Sequence, residues 1–170
     1  MAPPVRKLAL TVHVTSSVGW LGAVAAVLVL AVAGMSSGDA LTVRGAYLAM
    51  ELVGWFVLVP LALASLLSGL VQSLGTVWGL FRHYWVLLKL LITVLATAVL
   101  LMYMETLGVL ADVAAGPADQ LELLRTPSVV LHASAALLLL LVVTILAVYK
   151  PRGRTRYGRR NHERTSVSPS

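Results

Sequence analysis

There is no cysteine anywhere in these 170 residues. That absence excludes disulfides, thiol catalysis, Cys-ligated zinc and Cys-ligated iron–sulfur clusters. Charge is also scarce. Only 12% of residues are Asp, Glu, Lys or Arg, against about 25% in water-soluble domains. So few charges cannot cover a soluble surface of this size. No H-E-x-x-H, Walker or nucleophile-elbow pattern occurs, and no internal repeat is visible.

What the chain does contain is apolar residue, at 59%. It is gathered into four stretches, about Leu8–Gly34, Ala46–Leu74, Trp85–Leu107 and Val129–Tyr149. Each matches or exceeds the roughly 20 residues that a bilayer-spanning helix needs. The expected fold is therefore all-α: a polytopic membrane protein, a four-transmembrane-helix bundle over residues 1–150, surrounded by lipid. A chain this long makes one such bundle and no separate soluble domain. Arg6 and Lys7 precede the first stretch, and Ala31-Val32-Ala33 resembles a cleavage site. Signal-peptide cores run about 7–15 residues. This stretch is nearly twice that and contains His13, Thr15, Ser16 and Ser17, so it reads as a retained helix.

The net charge of +6 does not point to nucleic acid, because the basic residues flank the apolar spans. With the N-terminus inside, eleven of the 13 lysines and arginines fall on the inner side. These are Arg6 and Lys7, then Arg82 and Lys89, then Lys150, Arg152, Arg154, Arg156, Arg159, Arg160 and Arg164. Only Arg44 and Arg125 fall outside. The positive-inside rule then places both termini in the cytoplasm and the protein in the plasma membrane. Residues 151–170 read as a disordered basic cytoplasmic tail, either a topology anchor or a ligand for anionic lipids. Trp78, Phe81, Tyr84 and Trp85 suit the headgroup level.

The breaks between spans carry turn chemistry. Ser36-Ser37-Gly38-Asp39 reads as a turn, with Asp39 as a helix cap. Gly75–Tyr84 is a short inner connection. Gly108–Pro127 reads as a longer outer loop, with a short interfacial turn from Asp119 to Arg125. Pro60 is expected to kink the second helix.

Polar side chains inside the spans fall at two levels. The inner level holds His13, Gln72 and Lys89. His13, Ser16, Ser17 and Trp20 share one helix face, as do Ser65, Ser68, Gly69 and Gln72, and Lys89, Thr93 and Thr97. Three such stripes packed together would line a cleft. They equally suit plain helix packing, and Lys89 is near enough to the boundary to snorkel. The outer level holds Glu51, Glu105 and His132. Glu51 is the deepest, with His132 and Arg125 as candidate partners. Glu105 faces away from Lys89. His13 and His132 start from opposite membrane faces, so no mononuclear metal site joins them.

Three strings carry a resemblance. They are Leu10-Thr-Val-His13-Val-Thr-Ser-Ser-Val-Gly-Trp20-Leu-Gly, Ala46-Tyr-Leu-Ala-Met-Glu51-Leu-Val-Gly-Trp-Phe-Val-Leu-Val-Pro60 and Gly79-Leu-Phe-Arg-His-Tyr-Trp85-Val-Leu-Leu-Lys89-Leu. Together the chain, from about Val5 to Tyr149, resembles an uncharacterised family of actinobacterial four-helix integral membrane proteins. That family brings no activity with it. A more distant likeness is to the HemJ type of protoporphyrinogen oxidase and to the copper-resistance protein D group. The HemJ likeness implies haem b, with His13 as axial ligand and Lys89 in the place of its third-helix lysine. Trp85 stands where that family has an arginine, and Tyr103 stands near the place of its late third-helix histidine.

Three functions fit these observations. One is a non-enzymatic accessory or structural bundle, alone, as a homo-oligomer or within a larger membrane complex. One is a haem- or porphyrin-binding redox protein using His13 and Lys89. The third is a proton- or cation-handling transporter subunit using Glu51.

Overall fold

The computed structural model describes residues 3–75 and 84–149. The inner connection with Trp78, Phe81, Arg82 and His83, and the basic tail, lie outside the described residues.

Among the described residues four helices are long and apolar enough to cross a membrane. In lipid the backbone has no water to bond, so a spanning segment must satisfy its amides internally, and a helix does so. The first span is α1 (Pro3–Ser36). The second is α2 (Ala40–Val53), a π-helical turn (Gly54–Leu58) and α3 (Val59–Gly75). The third is α4 (Tyr84–Ala115). A 3₁₀ helix (Ala118–Leu124) leads into the fourth, α5 (Ser128–Tyr149). The spans pack in a ring in chain order, and the contact between α4 and α5 is the sparsest of the four.

Residues three and four apart build the seam where the spans meet. Trp20, Val24, Val27 and Ala31 of α1 are buried, with Tyr47 and Met50 of α2, Met104 and Leu107 of α4, and Val129 and Ala133 of α5. The outward faces carry exposed Phe56, Met102, Leu138 and Val148. That inversion of a soluble protein's surface is what a lipid solvent permits.

Several boundaries differ from the sequence reading. Gly108–Ala115 is not a loop, because α4 runs through it. Apolar Val109, Leu110, Ala111, Val113 and Ala114 continue the helical pattern there. The connection narrows to Gly116-Pro117 and the 3₁₀ helix, where a short interfacial turn was expected. Pro60 is met by the π turn just before it. The Val59 amide donates to Gly54, one residue further back than in an α-helix. The inserted residue re-phases the helix by about 100°. The face that turns Glu51 toward α4 then gives way to one that turns Ser65 and Ser68 toward α1.

Asp39 caps α2 as expected. Its carboxylate accepts from the Leu41 and Thr42 amides at 3.4 and 2.9 Å and from the Thr42 hydroxyl at 2.7 Å. The Thr42 hydroxyl bond, then the Thr42 amide, hold its pKa below the ordinary carboxylate value. The cap's contribution is therefore complete above about pH 4 and is lost as pH falls through the lowered folded-state value. Asp39→Ala is expected to speed amide hydrogen exchange at Leu41 and Thr42 at neutral pH, and the gap from wild type should close in acid.

Candidate functional site

Polar contacts within the bundle form two groups, one at each end. The first lies between α1 and α3, in the half nearer the N-terminus. His13 Nδ1 is 3.1 Å from the Ser65 carbonyl oxygen and 3.2 Å from Ser68 Oγ. A carbonyl only accepts, so Nδ1 carries the proton and Nε2 keeps its lone pair. The Ser68 hydroxyl donates its own hydrogen to Ala64, which leaves its oxygen free to accept from the imidazole. Ser17 and Ser65 share a 2.7 Å hydroxyl–hydroxyl bond. Gln72 Nε2 donates to the Ala9 carbonyl at 3.1 Å. The half-buried His13 ring can lie this close to α3 because residue 69 is glycine. A Cβ there would stand 3.1 Å from His13 Cε1.

Two of the three polar stripes thus close directly on each other instead of lining a cleft. The third turns inward on its own helix. Thr93 donates to the Lys89 carbonyl and Thr97 to the Thr93 carbonyl, both at 2.8 Å. Lys89 is half-buried. No buried side-chain nitrogen or oxygen among the described residues lacks a hydrogen-bond partner. Substituting Ser17→Ala and Ser65→Ala singly and together should reveal a coupling of about 1 kcal/mol, read from unfolding in a double-variant cycle.

The second group lies at the opposite end, where the Ser37–Asp39 turn and the 116–127 connection meet. The half-buried Arg44 donates to the carbonyls of Ala114 and Gly116 at 2.5 and 2.7 Å, capping the C-terminus of α4. The Tyr47 hydroxyl donates to the Leu124 carbonyl. Arg125 reaches the Ser37 carbonyl at 3.3 Å and Glu122 at 3.3 Å. From sequence, Arg44 is only one of two outer basic residues. Its spacing to Tyr47 and Glu51, at i, i+3 and i+7, was the signal that the three share a face.

Glu51 is half-buried, and a Cβ on Gly108 would lie 3.7 Å from its Oε1. Neither expected partner reaches it. Arg125 is committed to Glu122 and Ser37, and His132 to α5 and Tyr103. Lys89 and Glu105 on α4 are separated by 16 residues, or about 24 Å along the axis. Gly108 lies beyond Glu105 toward the connection end. Glu51 therefore meets α4 at the level of Gly108, on the connection side of Glu105. Glu105 is exposed.

His132 is exposed, and its Nδ1–H donates to the Ser128 carbonyl at 2.8 Å. Its ring stacks on Tyr103 at 4.1 Å between centroids and 22° between planes. Tyr103 bonds Ser128 Oγ at 3.1 Å. In the sequence 29 positions part Tyr103 from His132, and no spacing rule joins them. No group of three or more metal-ligating His, Asp or Glu side chains exists among the described residues. Comparison with family models, with curated proteins and with solved structures finds no match to this chain.

Proposed function

We propose that this chain is a non-enzymatic integral membrane protein, an accessory or structural four-helix bundle of the plasma membrane with both termini in the cytoplasm. One observation supports the reading most. Every buried side-chain nitrogen and oxygen among the described residues has a hydrogen-bond partner within the protein, and several polar bonds join one helix to another. His13, Ser17, Ser65, Ser68 and Gln72 tie the first span to the second. Arg44, Tyr47 and Arg125 tie the opposite end. The basic flanks supply orientation. This reading expects His13→Ala and Glu51→Gln to alter only stability, or association with a partner membrane protein, measured by quantitative co-purification in mild detergent. Loss of proton- or cation-dependent flux in Glu51→Gln proteoliposomes, with assembly intact, would overturn it. Protease protection should find both termini on one side.

A second reading, haem b at His13, has a specific observation in its favour. Histidines that ligate metals commonly donate their other N–H to a backbone carbonyl, and His13 does so to Ser65. That leaves Nε2 as the ligating atom, and Lys89, on the same inner level, would be the cation for an anionic propionate. Haem would supply one-electron chemistry; His13 would hold it and the Ser65 carbonyl would orient the ring. An absorption spectrum of protein purified from haem-replete cells decides between the readings. A Soret band lost in His13→Ala supports haem, and a colourless protein supports the structural bundle.

A further inference from the structure

Between α4 and α5 lies a cavity of about 260 Å³. Trp20 and Val24 of α1 and Leu58 of the second span form its inner wall. Val99 of α4 and Ala136 and Leu140 of α5 form its sides. The lining is apolar except where Tyr103 and His132 meet it. We propose that this cavity is a lipid site that takes one acyl chain of a bilayer phospholipid, inserted sideways between α4 and α5.

Four observations point to that occupant. Away from the end where Tyr103 and His132 meet it, the wall gives water no hydrogen-bond partners, and an apolar cavity of even about 150 Å³ stays dry and admits a benzene ring. Left empty, the walls would forfeit dispersion contacts along their whole length. The cavity also reaches the lipid-facing surface, because Leu95, Val99 and Ala135, which line it, are exposed. Its mouth falls at the sparsest helix–helix contact of the ring, where small Ala133, Ala135 and Ala136 leave space on α5. Finally, the polar groups lie at one end of the cavity, near the start of α5. Ser128 begins α5, and His132 lies one turn inside it, about 6 Å along the axis. With Nδ1–H held by the Ser128 carbonyl, Nε2 is the atom left to meet the ester and headgroup region, beside the Tyr103 hydroxyl. The tail then lies along Val99 and Leu140 toward the bilayer centre, where Trp20 stands midway along α1.

Tryptophan fluorescence tests this directly. Trp20 is 4% exposed, whereas Trp55 faces outward at 48%. Two single-tryptophan proteins are made from the full chain, one keeping Trp20 and one keeping Trp55, with phenylalanine at the other three positions. Each is reconstituted into vesicles of phosphatidylcholine brominated at mid-chain, since bromine quenches tryptophan on contact. Trp55 reports ordinary contact with lipid. The proposal expects Trp20 to be quenched to a comparable degree despite its burial, and Ala136→Phe to abolish that quenching while Trp55 remains quenched. Val99→Phe, which fills the cavity from the opposite wall, must do the same, and it serves if Ala136→Phe does not fold. A quenched Trp55 beside an unquenched Trp20 overturns the proposal. So does Trp20 quenching that survives both filling substitutions. An unquenched Trp20 in a protein that cross-links as a dimer through α5 assigns the groove to a second copy and overturns it equally.

Discussion

Replacing Gly34 with valine is expected to destabilise the bundle by about 3 kcal/mol, near the upper end of what overpacking usually costs. Gly34 is buried in the last turns of α1, against the ring of Tyr47. A Cβ there would stand 2.9 Å from Tyr47 Cε2 and 3.3 Å from the Ala46 side chain. Tyr47 has no room to retreat. It is fully buried, and its hydroxyl is anchored on the Leu124 carbonyl. The added methyl groups must therefore push α1 and α2 apart along their seam. Gly22 is the control, because nothing lies within 4 Å of a Cβ placed there. Gly22→Val should stay near wild type in the same unfolding measurement. Combining Gly34→Val with Tyr47→Leu should cost less than the sum of the two single changes, because the smaller side chain yields space. Equal losses for Gly22→Val and Gly34→Val would show that propensity matters here and the contact does not.

The second large effect is expected at Arg44. Its guanidinium donates to two carbonyls at the end of α4, where the helix leaves acceptors without intrahelical partners and its dipole favours a cation. Hydrogen bonds to a charged group are worth about 1.5–3 kcal/mol each, and removing one partner strands the other. Arg44→Met keeps much of the stem and deletes both bonds, so a loss of about 3 kcal/mol is expected. Arg44→Lys should recover only part of it, because an ammonium lacks the planar fork. The readout is unfolding together with protease cutting in residues 116–127, which should rise in Arg44→Met. An uncut, fully stable Arg44→Met protein would remove Arg44 from the cap.

The polar residues show how far sequence spacing reaches. His13, Ser17, Ser65, Ser68 and Gln72 were all visible as stripes, since a helix returns the same face every three or four residues. What the stripes do depended on which helix each one meets. A stripe that meets another stripe makes bonds between helices, whereas one left alone, such as Thr93 and Thr97, bonds its own backbone. Glu51 and Arg125 looked like partners while helix ends were judged by hydropathy. The extension of α4 to Ala115 and the 3₁₀ turn after it send Arg125 to Glu122 and Ser37 instead.

Composition and periodicity by themselves determined that this chain is helical, that four of its segments suit lipid, and where its polar stripes and its Asp39 cap lie. These are properties of local chain chemistry, written in runs and spacings along one dimension. Only the tertiary structure decided that α4 continues past Gly108, that a π turn re-phases the second span, that Arg44 closes the end of α4, and that Tyr103 and His132 meet at the mouth of an apolar cavity. Each of those depends on contacts between residues far apart in sequence, and apolar helices in lipid carry little one-dimensional record of which neighbour they face, because lipid and protein are almost equally apolar to them.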